Sequence, residues 1–174
     1  HAEEFYFFVF LLCAVYCGMA VLTSGFQGSG AKGYFGFVKK QLEMGRQGYV
    51  VCPMIDESES DLNDVTSYSQ KLAQGAFADY KVGLLHGRMS AAEKEEVMNG
   101  FKRGEIDLLV ATTVVEVGVD VPNATVMVIE NADRFGLSQL HQLRGRVGRG
   151  EWESFCILIT DNPSPECVQR MKII

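Results

Sequence analysis

The sequence lacks any C-x-x-C pair and any His at metal-ligand spacing beside its five cysteines, Cys13, Cys17, Cys52, Cys156 and Cys167. That excludes a zinc module and the disulfide framework of a small secreted domain, and it reads as reduced thiols in a cytosolic protein. Excess positive charge is also missing. Lys and Arg number 16 against 22 Asp and Glu, a formal charge of −6, so no global basic field exists to attract nucleic acid and any polyanion site must be local. No Lys or Arg precedes Lys32, so the uncharged run Phe5 to Leu22 has no positively charged flank of the kind a secretory signal carries. That run is compatible with a membrane-spanning helix, a packing helix, an interface segment or a stretch foreign to the fold; nothing later looks membrane-bound. Finally, G-x-x-x-x-G-K-[ST] occurs nowhere, which excludes a self-contained cradle for the β- and γ-phosphates of a nucleotide and for its Mg²⁺.

What is present, from Tyr34 onward, is an alternation of short apolar runs with helical patterns. It predicts an α/β fold with a parallel sheet covered on both faces. Strands are expected at Gly48 to Pro53, Val82 to Leu85, Asp107 to Thr112, Thr125 to Ile129 and Ser154 to Thr160. Helices are expected at Tyr34 to Met44, Asp61 to Gln74, Ala91 to Phe101 and Leu137 to Leu143. Ser90-x-x-Glu93 has the spacing of a capping box at the third of these starts. Asp56, Glu57, Glu59, Asp61 and Asp64 form an acidic patch that reads as a solvated loop and helix start.

Ligands of open parallel sheets gather at the carboxyl ends of the strands, so the loops there are the expected site. Within QLHQLRGRVGRG, Arg146 and Arg149 stand at i and i+3 beside Gly145 and Gly148. Guanidinium forks suit phosphate oxygens, and the glycines allow close approach; the alternative is a solvated basic turn. In TTVVEVGVDVP, Thr112 and Thr113 offer hydroxyls and backbone N–H groups to nucleic-acid phosphates. Gly118 permits close approach there, and Asp120 can accept from a ribose hydroxyl or orient an arginine. His86, Gly87 and Arg88 supply a further candidate phosphate contact, against a structural role for His86. Glu116 and Glu130 have the type of a general base, but no partner carboxylate or metal spacing supports that role.

The stretches GYVVCPMIDESE, KVGLLHGRMSAAEKEEVM, ATTVVEVGVDVPNATVMVIENADRFGLSQLHQLRGRVGRG and SFCILIT together resemble the second RecA-like lobe of superfamily 2 helicases, of the RecG type in particular. The transcription-repair coupling factor shares the LHQLRGRVGR core and is the competing relative; a non-catalytic RecA-like binding module is the alternative of another class. The resemblance implies a P-loop NTPase fold: a RecA-like parallel sheet with helices on both faces. It also implies an ATP-dependent DNA helicase in which Arg146 and Arg149 are arginine fingers. Gln142, Gly145 and Gly148 complete the sixth helicase motif, and Thr112, Thr113, Gly118 and Asp120 the fifth. His86, Gly87 and Arg88 become nucleic-acid-contacting. ATP and Mg²⁺ are then held mainly by a first RecA-like lobe outside this sequence, and the DNA is forked or branched. The expected organisation is an apolar segment and flexible linker over 1–32, the helicase lobe over 33–160, and the start of a C-terminal helical extension over 161–174. The expected location is cytoplasmic.

Overall fold

Two hydrophobic periodicities organise the chain. Runs of Val, Ile and Leu, too short for helices, form a sheet, and the amphipathic segments between them cover it. The computed structural model describes residues 8–15, 18–24, 34–53, 59–112, 120–160 and 164–174. In chain order the elements are β1 (Phe8–Val15), β2 (Gly18–Ser24), α1 (Phe35–Glu43), β3 (Gln47–Cys52), α2 (Glu59–Gln74), β4 (Val82–Leu85) and α3 (Ala91–Lys102). They continue with β5 (Leu108–Thr112), β6 (Ala124–Ile129), α4 (Leu137–Arg144), β7 (Ser154–Thr160) and α5 (Pro165–Met171).

The sheet order is β2-β1-β7-β6-β3-β5-β4. Strands β4, β5, β3, β6 and β7 are parallel to one another. Every residue of β3, β5 and β6 is buried, as expected of parallel strands covered on both sides. Alternate residues then serve different layers. Tyr49 and Val51 face a core with Met98 and Phe101 of α3 and Leu140 and Leu143 of α4. Val50 and Cys52 face a second core with Val38 and Leu42 of α1 and Val65 and Leu72 of α2. The core on the α3 and α4 side is extended by Cys167, Met171 and Ile174, so the segment following β7 packs into it.

Local chemistry sets the helix ends that position the loops. The Ser90 hydroxyl accepts from the Glu93 backbone N–H at 3.3 Å, and the Glu93 carboxylate accepts from the Ser90 N–H at 2.7 Å, the reciprocal box anticipated from the sequence. At the start of α4 the Gly136 N–H donates to Gln139 Oε1 at 3.0 Å.

One expectation needs correcting. Part of the apolar run Phe5 to Leu22 forms the strands β1 and β2, not a helix. β1 pairs antiparallel with β7, from Phe8 opposite Thr160 to Ala14 opposite Ser154, and β2 pairs antiparallel with β1. Continuous apolar sequence does not distinguish a buried strand from a buried helix, and β7 offers an open ladder to pair with. Among the described residues, no helix is long and apolar enough to cross a membrane.

Candidate functional site

The parallel direction of β3 to β7 gives the sheet two chemically different edges. At the carboxyl edge, β4 runs into His86, Gly87 and Arg88, β5 ends on Thr112, and β6 runs into Glu130. Helix α4 must then travel back across the sheet to start β7, so its C-terminal arginines arrive at the amino edge. The arginine turn is therefore separated from the strand-end loops among which the sequence reading placed it. The return path of α4, which chain order does not reveal, decides the location.

At the amino edge the turn is built closely. Gly148 has φ +80°, a left-handed conformation that costs an L side chain about 1–2 kcal/mol. Gly150 packs so tightly that a Cβ there would lie 2.3 Å from the Pro122 carbonyl oxygen. Gly145, by contrast, caps α4 at φ −68° with ordinary helical geometry.

This turn presents Arg149 to solvent with 43% of its side chain accessible. Its Nε donates to the Gly145 carbonyl at 2.8 Å and its Nη1 to Asp120 Oδ1. An ion pair this exposed contributes about 0–1 kcal/mol to stability, so its main effect is to fix where the guanidinium points. Arg146 is half-buried. Burial pushes the Tyr49 hydroxyl up to about 12 against the opposing charges of Arg146 and Arg149, with Asp120 adding to the rise, which places all three charges within reach of the β3 face. Arg144 points elsewhere, donating to the Ile174 carbonyl from Nη1. Gln142 is exposed on α4.

At the carboxyl edge, Lys94 Nζ donates to the Gly87 carbonyl at 2.8 Å and ties the His86–Arg88 turn to α3. The His86 N–H donates to Met89 Sδ at 3.4 Å, while its buried Nδ1 has no hydrogen-bond partner among the described residues. Arg88 is exposed. Thr112 stands at the strand end as expected, but it is 1% accessible and its Oγ1 is unpartnered among the described residues, so its hydroxyl does not face solvent. Thr113, Glu116 and Gly118 lie outside the described residues. Among the described residues no group of three or more His, Cys, Asp or Glu is placed to hold a metal ion.

Three features escaped the sequence reading. Glu130, declined there as a base, accepts hydrogen bonds through Oε1 from Tyr34 and, at 2.6 Å, from Tyr68, whose hydroxyls are 3.0 Å apart. Burial first and the Glu130 charge second push both phenols well above their usual range, so both remain donors. The second is the Gly150–Pro122 contact. The third is Arg46, whose Cζ lies 3.4 Å from the Trp152 ring centroid. Only the glycine had a local signal, its place at the end of G-x-x-G-x-G.

Burial also raises the Cys52 and Cys156 thiols to about 12, with Glu130 adding to the first and Arg144 opposing the second. Folding thus favours the neutral thiols and the neutral Tyr49. This contribution is complete below the ordinary thiol range near 9 and is lost as the pH rises toward 12. Urea midpoints followed from about pH 8 to 11 should fall monotonically; a flat profile would show that these groups are hydrated in the native state.

Residues 34–151 match the helicase conserved C-terminal domain, and the chain belongs to that family. Within it, the ATP-dependent DNA helicase RecG of Bacillus subtilis is 52% identical over 139 residues, 79% of this chain and 20% of that protein. RecG of Synechocystis is 49% identical over 138 residues, 79% of this chain and 17% of that protein. The chain thus spans about a fifth of the length of these curated relatives. A solved structure of RecG bound to a three-way DNA junction superposes with TM-score 0.68 at 45% identity, covering 80% of this chain and 18% of that one. The Pyrococcus furiosus Hef helicase domain, at 24% identity and TM-score 0.55, covers 78% of this chain and 26% of that one and shares the fold.

Proposed function

We propose that this chain is the second motor lobe of a RecG-type ATP-dependent DNA helicase, with residues 33–160 forming the lobe and 161–174 the start of a helical extension. Residues 1–32 form a leading segment whose strands β1 and β2 add to the sheet beside β7. The observation that carries the reading is Arg149, held by Asp120 and the Gly145 carbonyl but still solvent-accessible, in a sequence with no phosphate-binding loop. Such a guanidinium is equipped to complete a nucleotide site whose phosphate cradle lies on another lobe. Arg146, Gln142, Gly145 and Gly148 belong to the same element, and Asp120 doubles as a ribose acceptor. The donor set fits phosphate oxygens. Asp120 is already shared with Arg149, so Mg²⁺, which would neutralise phosphate charge, is assigned to the first lobe.

His86, Gly87 and Arg88 are assigned to DNA backbone contact at the carboxyl edge, where Thr112 contributes by its strand-end position and not through its buried hydroxyl. By their motif, Thr113 is assigned to the DNA and Gly118 to the nucleotide. Nucleotide and DNA then act on opposite ends of the same strands, which suits a lobe that converts cleft closure into duplex translocation and branch migration at forks. Such a helicase works on chromosomal DNA in the cytoplasm. The 174-residue chain alone is expected to show no measurable ATP turnover. The two-lobed protein is expected to be stimulated more by forked than by linear duplex DNA, with an effect that declines steeply as salt is raised. Robust turnover by the pure chain would sink the shared-site reading. Equal stimulation by linear duplex would favour a general DNA translocase over a fork remodeller.

A further inference from the structure

We propose that the Arg46–Trp152 stack is a platform for the base of the nucleotide whose phosphates Arg149 faces, an inference that rests on the shared-site reading above. Trp152 is the only tryptophan in the chain and, for so large an apolar side chain, is unusually open at 51% accessible. It is nevertheless held. Arg46, from the turn between α1 and β3, lies over the ring at 3.4 Å, a distance that fixes the indole through cation–π attraction.

With that contact on one side, the exposed part of the ring borders a cavity of about 560 Å³ at the amino edge. Arg149, Gly150, Pro122 and Asn123 line the same cavity. Its volume lies within the range of small-molecule sites. Its wall combines an aromatic surface with a guanidinium three residues earlier in the chain, and that guanidinium holds the Asp120 carboxylate. A planar base, a hydroxylated sugar and a polyphosphate need those three groups in that combination. Stacking on an indole tolerates any base, because every base has a π face. The platform therefore contributes affinity, and discrimination among purines is left to other contacts.

The test is equilibrium binding of ATP and of inorganic tripolyphosphate to the two-lobed protein, for wild type, Trp152→Ala and Trp152→Phe. Loss of a base–aromatic stack corresponds to about a fivefold or larger weakening. Trp152→Ala is therefore expected to weaken ATP by at least that factor and leave tripolyphosphate unchanged, with Trp152→Phe recovering most of the loss. Since the residue is half exposed, thermal unfolding of both variants should stay close to wild type, with at most the small loss of the exposed contact to Arg46. Unchanged ATP affinity would overturn the proposal. Equal weakening of both ligands would also overturn it, making Trp152 a contact between lobes. Because the readout is binding, this outcome is separable from failure of the shared-site reading, which would appear as undiminished turnover in an Arg149 variant.

Discussion

Replacing Arg149 by alanine in the two-lobed protein is expected to lower DNA-stimulated ATP turnover by about three orders of magnitude or more while leaving the lobe folded. The magnitude follows from the chemistry assigned to it: a guanidinium meeting the transferring phosphoryl group contributes about 10³ to 10⁵ in rate. The fold is spared because the side chain is 43% accessible and its Asp120 pair is exposed. Removing that pair costs about 1 kcal/mol at most. DNA affinity without nucleotide should also persist, since Arg149 lies at the sheet edge opposite His86 and Arg88. Steady-state turnover with DNA-binding and thermal-unfolding controls decides the matter. A variant that loses its fold instead would make Arg149 a structural ion-pair member, and full turnover would remove it from the phosphate site.

The second large effect belongs to a residue with no chemistry of its own. Gly150→Ala places a methyl carbon 2.3 Å from the Pro122 carbonyl oxygen, a separation that atoms do not tolerate, so backbone must move. Pro122 has little freedom to give: Val121 before it is 2% accessible in the core, and β6 begins two residues later at Ala124. The Arg149 turn and the Asp120–Pro122 segment are therefore pushed apart, at a cost of about 1–3 kcal/mol. A displacement near 1 Å at a positioned catalytic group costs about 10² in rate. The expected result is a roughly hundredfold loss of turnover with a moderate drop in the urea midpoint. Wild-type turnover would mean that the arginine does not depend on this wall.

The parallel sheet was legible because its strands are short Val- and Leu-rich runs between helical patterns. Val82–Leu85 and Ser154–Thr160 coincide with the expected spans, β5 and β6 differ by one residue at their starts, and β3 is shifted by one residue at both ends. The capping box at Ser90 was legible for a related reason, since it is encoded within four residues. Arg149 and Asp120 could be nominated by residue type and spacing. Their pairing, across 29 residues, could not. Nor could the edge of the sheet they occupy, which depends on the return path of α4, or the buried setting of Thr112. The antiparallel β1 and β2 were hidden because an uncharged run carries no period to read. Arg46 and Trp152 come from distant turns, and nothing local to either announces the other.

The Tyr34–Glu130–Tyr68 cluster bears on folding kinetics. Its three members stand 34, 62 and 96 residues apart in sequence, yet one carboxylate oxygen receives both phenols. Contacts of such separation close large loops at an entropic cost, so the cluster is expected to complete after the local elements have formed. Interactions absent from the transition state leave the folding rate nearly untouched and instead slow unfolding. Glu130 is therefore expected to act on the rate at which the lobe unfolds more than on the rate at which it folds.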